Sequence, residues 1–375
     1  MNKRVVFLTG TRADYGKIKS IMNALEKSNS FELLVFVTGM HMHNEFGSTY
    51  NEVLKDGYKN VFLFINQRLG TPMDTILANT IGGFSSYVNE FKPDLIVVHG
   101  DRVEALAATI VGAMNNILVG HIEGGEVSGT IDESIRHAIT KLAHIHFVAN
   151  EESRRRVAQL GEHDKRIHVI GSPDIDIMLS PDLPTWDETR LRYGIKFDDF
   201  GIAMFHPVTT SYGNMSQYSK NFVAALLESG KNFIVIHPNN DMGREFIVEE
   251  YEKLMDNEKF QVFYSVRFEH FLTMLKNAEF IIGNSSAGIR EASVYGTPAI
   301  DIGDRQKNRY IPSCQIVNCA YCLEEIIKSI HNLSGVKSSC TLDFGTGNST
   351  MKFMELIAGD IIWKTPLQKY FIDKD

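Results

Sequence analysis

The chain has 375 residues, 43% of them hydrophobic and 22% charged, with a formal net charge of -8. That length exceeds one comfortable hydrophobic core, so two domains are expected, and the acidic balance argues against non-specific nucleic-acid binding. No apolar run approaches the roughly 20 residues of a membrane span, and MNKRVVFLTG is too brief in apolar residues for a secretion signal. The expectation is a cytoplasmic enzyme with neither a membrane nor a nucleic-acid partner.

Taken in chain order, apolar runs predict strands at 5–9, 33–37, 61–64, 95–99, 118–122, 145–149 and 168–170. A second series follows at 202–206, 233–237, 262–264, 280–283, 299–302 and 315–317. Helical periodicity fills the intervals, for example at 17–27, 104–114 and 222–228. Near-continuous apolar strands alternating with helices mean parallel sheets buried on both faces. Two such series predict an α/β protein of two Rossmann-like domains, at 1–175 and 190–355. The boundary falls in 171–188, which holds Pro173, Pro181 and Pro184. A last helical pattern at 351–362 ends the chain.

The loops after these strands carry the polar chemistry. Strand one runs into Gly10-Thr11-Arg12-Ala13-Asp14-Tyr15-Gly16-Lys17, a strand-to-helix junction compatible with phosphate. Arg12 and Lys17 are its cations. The pattern is not GxGxxG, and Thr38-Gly39 ends strand two without the acidic residue of a nicotinamide site. His41 and His43 share a His-x-His, but no third ligand stands at a characteristic spacing, so no metal is expected. A neutral histidine touching a polar ligand is the better reading.

Strand four ends in His99-Gly100-Asp101-Arg102. Asp101-x-x-Glu104 and Thr130-x-x-Glu133 both read as helix capping boxes, and Asp132 suits the first turn of a helix. Glu123 differs. It follows an apolar strand and precedes Gly124-Gly125, where a carboxylate serves no local structural purpose. In the second series, His206-Pro207 and His237-Pro238-Asn239 end consecutive strands, held extended by the prolines. Gly283-Asn284-Ser285-Ser286-Ala287-Gly288 then joins a strand to a helix containing Glu291, a small-residue loop suited to an anion. Asp304-Arg305 adds a further cation. The spacing Cys314-x4-Cys319-x2-Cys322, with Cys340 beyond, resembles an iron–sulfur pattern, but it runs through a strand and into a helix, so buried thiols are expected instead.

Together these loops resemble the hydrolysing UDP-N-acetylglucosamine 2-epimerases, which begin sialic acid synthesis. The pieces that carry the resemblance are GTRADYGK, VTGMH, HGDR, HIEGGEVSGTIDESIRHAITKLAHIH, FHPVTT, the PN of HPNND, GNSSAGIREA and the GxRQ of GDRQ, in order over about residues 9–310. The resemblance implies the GT-B fold, two Rossmann-like domains facing across a cleft, with a terminal helix at 356–375 returning to the first. It implies cleavage of UDP-GlcNAc to UDP and N-acetylmannosamine through 2-acetamidoglucal, with no cofactor and no metal. A homo-oligomer, dimer or tetramer, is expected.

Carried over by position, the resemblance puts the catalytic carboxylates at Asp101, Glu123 and Asp132. It puts diphosphate contacts at Arg12, His206, Ser285 and Ser286, with His206 counted in the catalytic set. Asn239 and Arg305 would line the nucleotide site, Glu291 would bind ribose, and His41 would lie near the sugar. Lys17 and Arg102 complete the expected substrate-binding set. Four alternatives remain at this point: a hydrolysing epimerase for another nucleotide sugar (GDP-GlcNAc or a UDP-diacetamido-trideoxy sugar), a non-hydrolysing epimerase, a GT-B glycosyltransferase, which would have no evident use for the Glu123–Asp132 carboxylate set, and a non-catalytic nucleotide-sugar sensor.

Overall fold

A computed structural model describes residues 2–128, 130–306, 316–333 and 339–373. The chain divides into two compact units: residues 1–126, 132–180 and 344–375 form the first, and 127–131 with 181–343 the second. Among the described residues no helix is long and apolar enough to cross a membrane.

Among the described residues the first unit holds seven strands: β1 (Lys3–Thr9), β2 (Phe31–Val37), β3 (Val61–Leu63), β4 (Leu95–His99), β5 (Leu118–Ile122), β6 (Ile145–Val148) and β7 (Ile167–Val169). They form one parallel sheet in the order β3-β2-β1-β4-β5-β6-β7. Alternate residues feed opposite cores, as a pleated strand requires. Val5, Phe7, Leu33, Val35, Leu95 and Val97 pack on one face, and Val6, Leu8, Leu34, Phe36, Ile96 and Val98 on the other.

The second unit repeats the design. Its strands β8 (Gly201–Met204), β9 (Phe233–Ile236), β10 (Phe260–Phe263), β11 (Phe280–Gly283), β12 (Ala299–Ile302) and β13 (Ile316–Cys319) lie parallel in the order β10-β9-β8-β11-β12-β13. Two doubly wound, Rossmann-like units in one chain are the architecture the sequence predicts. The strand order reverses between β1 and β4 in one unit and between β8 and β11 in the other. Such switch points open a crevice at the carboxyl ends of the strands, where ligands bind in this fold class.

Helices begin earlier than the apolar periodicity indicates. The first runs over Arg12–Glu26, not 17–27, because Thr11 and Asp14 form a reciprocal capping box. Its apolar stripe is Tyr15, Ile18, Ile21, Met22 and Leu25. The terminal pattern resolves into helices Ser349–Ala358 and Asp360–Trp363. Phe353 and Ile357 of the former enter the core of the first unit, and Trp363 stacks on Phe31. The chain therefore rejoins the first unit at Phe344, twelve residues before the expected 356–375 helix.

Candidate active site

In the first unit, the β1 junction is closed by its own carboxylate. Asp14 accepts from the backbone N–H groups of Gly10 (3.0 Å) and Thr11 (3.1 Å) and from the Thr9 hydroxyl (2.6 Å). Those three donors are satisfied within the unit. Arg12 pairs with Glu52, and Lys17 lies 3.1 Å from the fully buried Asp174. Both cations thus have acidic partners within the unit.

His41 is held from both sides. It is fully buried, with Nε2 3.0 Å from the Thr9 hydroxyl and Nδ1 2.7 Å from that of Thr49. Burial holds its pKa down to about 4, so the ring is neutral as expected. Both nitrogens are engaged inside the unit, however, and His41 braces the β1 end where contact with a sugar was expected.

The end of β4 supplies a correction. The helix Val103–Met114 has Arg102 as its N-cap, with no side-chain cap bond, so Asp101 and Glu104 do not form the predicted capping box. Asp101 instead pairs with Arg136, a side chain 1% exposed that also donates to the Glu126 carbonyl at 3.0 Å. Arg136 belongs to the helix Ile131–Leu142, whose first turn carries Asp132 and Glu133. One buried guanidinium therefore ties Asp101 to the element that presents Asp132. Glu104 is fully buried, its carboxylate against Gly10 and Gly39, with Oε2 3.7 Å from Arg102 Nε.

Glu123 has the least ordinary backbone in the group, at φ +66°. The left-handed region costs an L-residue with a Cβ roughly 1–2 kcal/mol. Lys92, also left-handed, at least closes a helix, whereas Glu123 directly follows β5. Its N–H extends the β5–β6 pairing by bonding the Phe147 carbonyl at 2.9 Å. The carboxylate is 4% exposed; Oε1 accepts from the Ser172 hydroxyl, and Oε2 lies 3.1 Å from His99 Nε2. The glycines that follow are required by packing: a Cβ on Gly125, at φ +81°, would fall 2.3 Å from the Ser153 carbonyl oxygen. Beneath this corner His121 bonds the Gly100 carbonyl (2.8 Å) and the Thr140 hydroxyl (3.2 Å), and burial pushes its pKa down to about 3.

The second unit assembles a donor set at its own switch point. Gly283, at φ +140°, has no room for a side chain: a Cβ would stand 1.8 Å from the Met204 carbonyl oxygen. That approach lets Asn284 bridge the strand ends, its Oδ1 accepting from His206 N (2.7 Å) and its Nδ2 donating to the His206 carbonyl (2.8 Å). His206 Nδ1 in turn accepts from the Asn239 N–H at 3.2 Å. An accepting Nδ1 puts the neutral ring's proton on Nε2, which makes Nε2 a hydrogen-bond donor. Arg305 Nη1 (3.1 Å) and Gln306 Nε2 (2.9 Å) donate to the Asn284 carbonyl. Ser285 and Ser286 occupy the turn between, half-buried, with Ser285 Oγ accepting from the Ala287 N–H at 3.3 Å. Glu291 begins the helix Glu291–Tyr295 and is 3% exposed. Asn239 Nδ2 donates to Asp241, while its Oδ1 is buried with no hydrogen-bond partner among the described residues.

His237 stands apart from this set. Its ring stacks on Tyr264 at 4.3 Å, meets Tyr251 edge-on, and is held down to about pKa 4 by burial. The cysteines offer no loop either: Cys319 ends β13 with its thiol pushed up to about 12 by burial, Cys340 is exposed, and Cys314 lies outside the described residues. Sequence reasoning passed over Arg136, His99, Ser172, Glu104 and Asn284 as functional residues. Only the buried position of Arg136 on its helical stripe was open to detection from the pattern.

Each unit thus carries polar side chains at the carboxyl ends of its strands: carboxylates and histidines in the first, and hydroxyls, amides, a histidine and a guanidinium in the second. That division defines a class of α/β enzymes acting on nucleotide-linked substrates. The comparisons narrow it. A model of the UDP-N-acetylglucosamine 2-epimerase family matches residues 23–358, and the chain belongs to that family. It is 48% identical over 375 residues to the UDP-N-acetylglucosamine 2-epimerase of Neisseria meningitidis serogroup B, covering 99% of both chains. It is 33% identical over 314 residues to the UDP-N,N'-diacetylbacillosamine 2-epimerase (hydrolyzing) of Legionella pneumophila, covering 82% of this chain and 83% of the relative. The crystal structure of the Methanocaldococcus jannaschii UDP-GlcNAc 2-epimerase with UDP-GlcNAc and UDP superposes with a TM-score of 0.81 at 21% identity, over 95% of this chain and 99% of that one. This last likeness bears on the fold.

Proposed function

We propose that this chain is a hydrolysing UDP-N-acetylglucosamine 2-epimerase, converting UDP-GlcNAc and water to UDP and N-acetylmannosamine, the precursor expected for sialic acid synthesis. The observation that carries the reading is Glu123: a buried carboxylate on a left-handed backbone at the end of β5, one oxygen bonded by Ser172 and the other beside His99. Strain of this kind persists where function requires it. Full-length similarity at 48% identity to an enzyme of that name supports the substrate.

The stereochemistry accounts for several carboxylates. In α-linked GlcNAc the C2 hydrogen and the UDP group are trans-diaxial. A base takes the C2 proton from one face, the C1–O bond breaks, and UDP leaves with the electron pair, giving 2-acetamidoglucal. Rehydration adds water oxygen at C1 and a proton at C2 from the opposite face, which inverts C2. One residue does not easily serve both faces, so Asp101, Glu123 and Asp132 divide acid and base duty. Arg136 holds Asp101 for its part.

The diphosphate develops charge as it leaves. His206 Nε2–H, Ser285, Ser286 and Arg305 are the second unit's donors for it. Glu291 accepts from ribose hydroxyls, and the Asn239 carbonyl oxygen is an acceptor still to be used.

The test is incubation with UDP-GlcNAc in D2O, followed by NMR. Free UDP and N-acetylmannosamine carrying deuterium at C2 is the expected result. Accumulation of UDP-N-acetylmannosamine would instead identify a non-hydrolysing epimerase. Absence of any reaction with UDP-GlcNAc would sink the assignment and direct attention to a diacetamido sugar, the substrate in the Legionella relative's name, or to a sensor.

A further inference from the structure

Glu123 is held by a residue that no loop motif contains. Ser172 lies 49 positions further on, fully buried, and stands at the N-cap of the helix Pro173–Met178. An N-cap serine ordinarily turns its hydroxyl onto the helix N–H groups, yet this one makes no cap bond. Its hydroxyl donates to Glu123 Oε1.

The serine itself is fastened by its backbone. Ser172 N–H donates to the Phe344 carbonyl at 2.7 Å, and the Ser172 carbonyl accepts from Ser349 Oγ at 3.0 Å. Asp176, one turn on, accepts from the N–H groups of Ser349 (2.9 Å) and Thr350 (2.7 Å). Gly171 and Gly345, at φ +90° and +145°, make the approach possible: a Cβ on Gly171 would fall 2.7 Å from Ser349 Oγ, and one on Gly345 would fall 3.2 Å from Gly171 Cα. Phe344 is the residue at which the chain rejoins the first unit.

We infer that Ser172 is a positioning residue for Glu123, its hydroxyl tying the carboxylate to the segment on which the chain re-enters the first unit. The inference rests on the assignment of Glu123 to proton transfer. A hydroxyl facing a carboxylate donates and so favours the ionised form. The titratable groups facing Glu123 from the neighbouring strand ends are His99 and His121. Neither is altered by shortening Ser172, and the backbone bonds of Ser172 survive that change.

The experiment compares wild type, Ser172→Ala and Glu123→Gln. Initial rates with UDP-GlcNAc are measured from pH 5.5 to 9. In parallel, Glu123 is titrated directly by carboxyl-13C NMR, its signal assigned by loss in Glu123→Gln. Ser172→Ala is expected to lower kcat about tenfold or more, leave KM within about twofold, and move the Glu123 titration to higher pH. A Ser172→Cys variant, keeping a weaker donor of similar size, should fall between the two. An unmoved Glu123 titration with wild-type kcat in Ser172→Ala overturns the inference. Lack of turnover by the wild type counts against the epimerase reading, whereas the NMR titration still decides whether Ser172 governs Glu123.

Discussion

The left-handed backbone at Glu123 gives a prediction whose sign is unusual. Replacing Glu123 by Ala or by Gly removes the same carboxylate and leaves the same partners, Ser172 and His99. The two variants then differ only in what the backbone at φ +66° costs them. Alanine keeps a Cβ and so keeps a strain of roughly 1–2 kcal/mol, while glycine escapes it. Glycine gives back roughly 0.5–1 kcal/mol through its larger loss of freedom on folding. Glu123→Gly should therefore be more stable than Glu123→Ala by about 0.5–1 kcal/mol, where an ordinary strand or helix site gives the reverse order. Urea denaturation of both variants reads the difference, and UDP release reads activity. Both should lose at least about a hundredfold in rate if Glu123 moves a proton. Equal stability, or alanine ahead, would refute the strain argument; turnover close to wild type would remove Glu123 from the chemistry.

Other expectations follow the same geometry. Arg136→Met leaves Asp101 without its buried cation; because Asp101 is 26% exposed, the loss should be about 2 kcal/mol, below the roughly 3–5 kcal/mol of a fully buried pair. Chemical denaturation measures it, and kcat should fall with it. Gly283→Ala drives a Cβ into the Met204 carbonyl and separates Asn284 from His206, so UDP binding by calorimetry should be lost or weakened at least about tenfold. His41 and His121 are held neutral by burial, at about pKa 4 and 3. Their folded pKa values lie below the unfolded value of about 6.5, so the unfolded chain takes up protons first as pH falls. Their contribution is complete above about pH 6.5 and declines towards pH 4, by a few kcal/mol in all. The urea midpoint should accordingly hold from pH 8 to 7 and drop between 6.5 and 4.5; a flat profile there would contradict neutral burial.

The sequence by itself determined the architecture, because strand and helix periodicity are local properties. Thirteen apolar runs foretell the thirteen strands among the described residues, and their division into two series foretells the two sheets. It also singled out Glu123, since a carboxylate between a buried strand and two glycines has no local explanation. Partners are another matter. Asp101 looked like a helix cap because Glu104 stands three residues on, and only the adjacency of β4 and β5 brings it to Arg136, 35 positions away. His41 has Met42 and His43 beside it in sequence, and the fold closes Thr9 and Thr49 around it. Ser172 stands at a helix start, where a serine ordinarily bonds the helix N–H groups, yet its hydroxyl turns to Glu123. In each case a polar group had a plausible neighbour in sequence and a better one in space. Burial decides between them, because a buried donor or acceptor must find its partner wherever the strand order brings one.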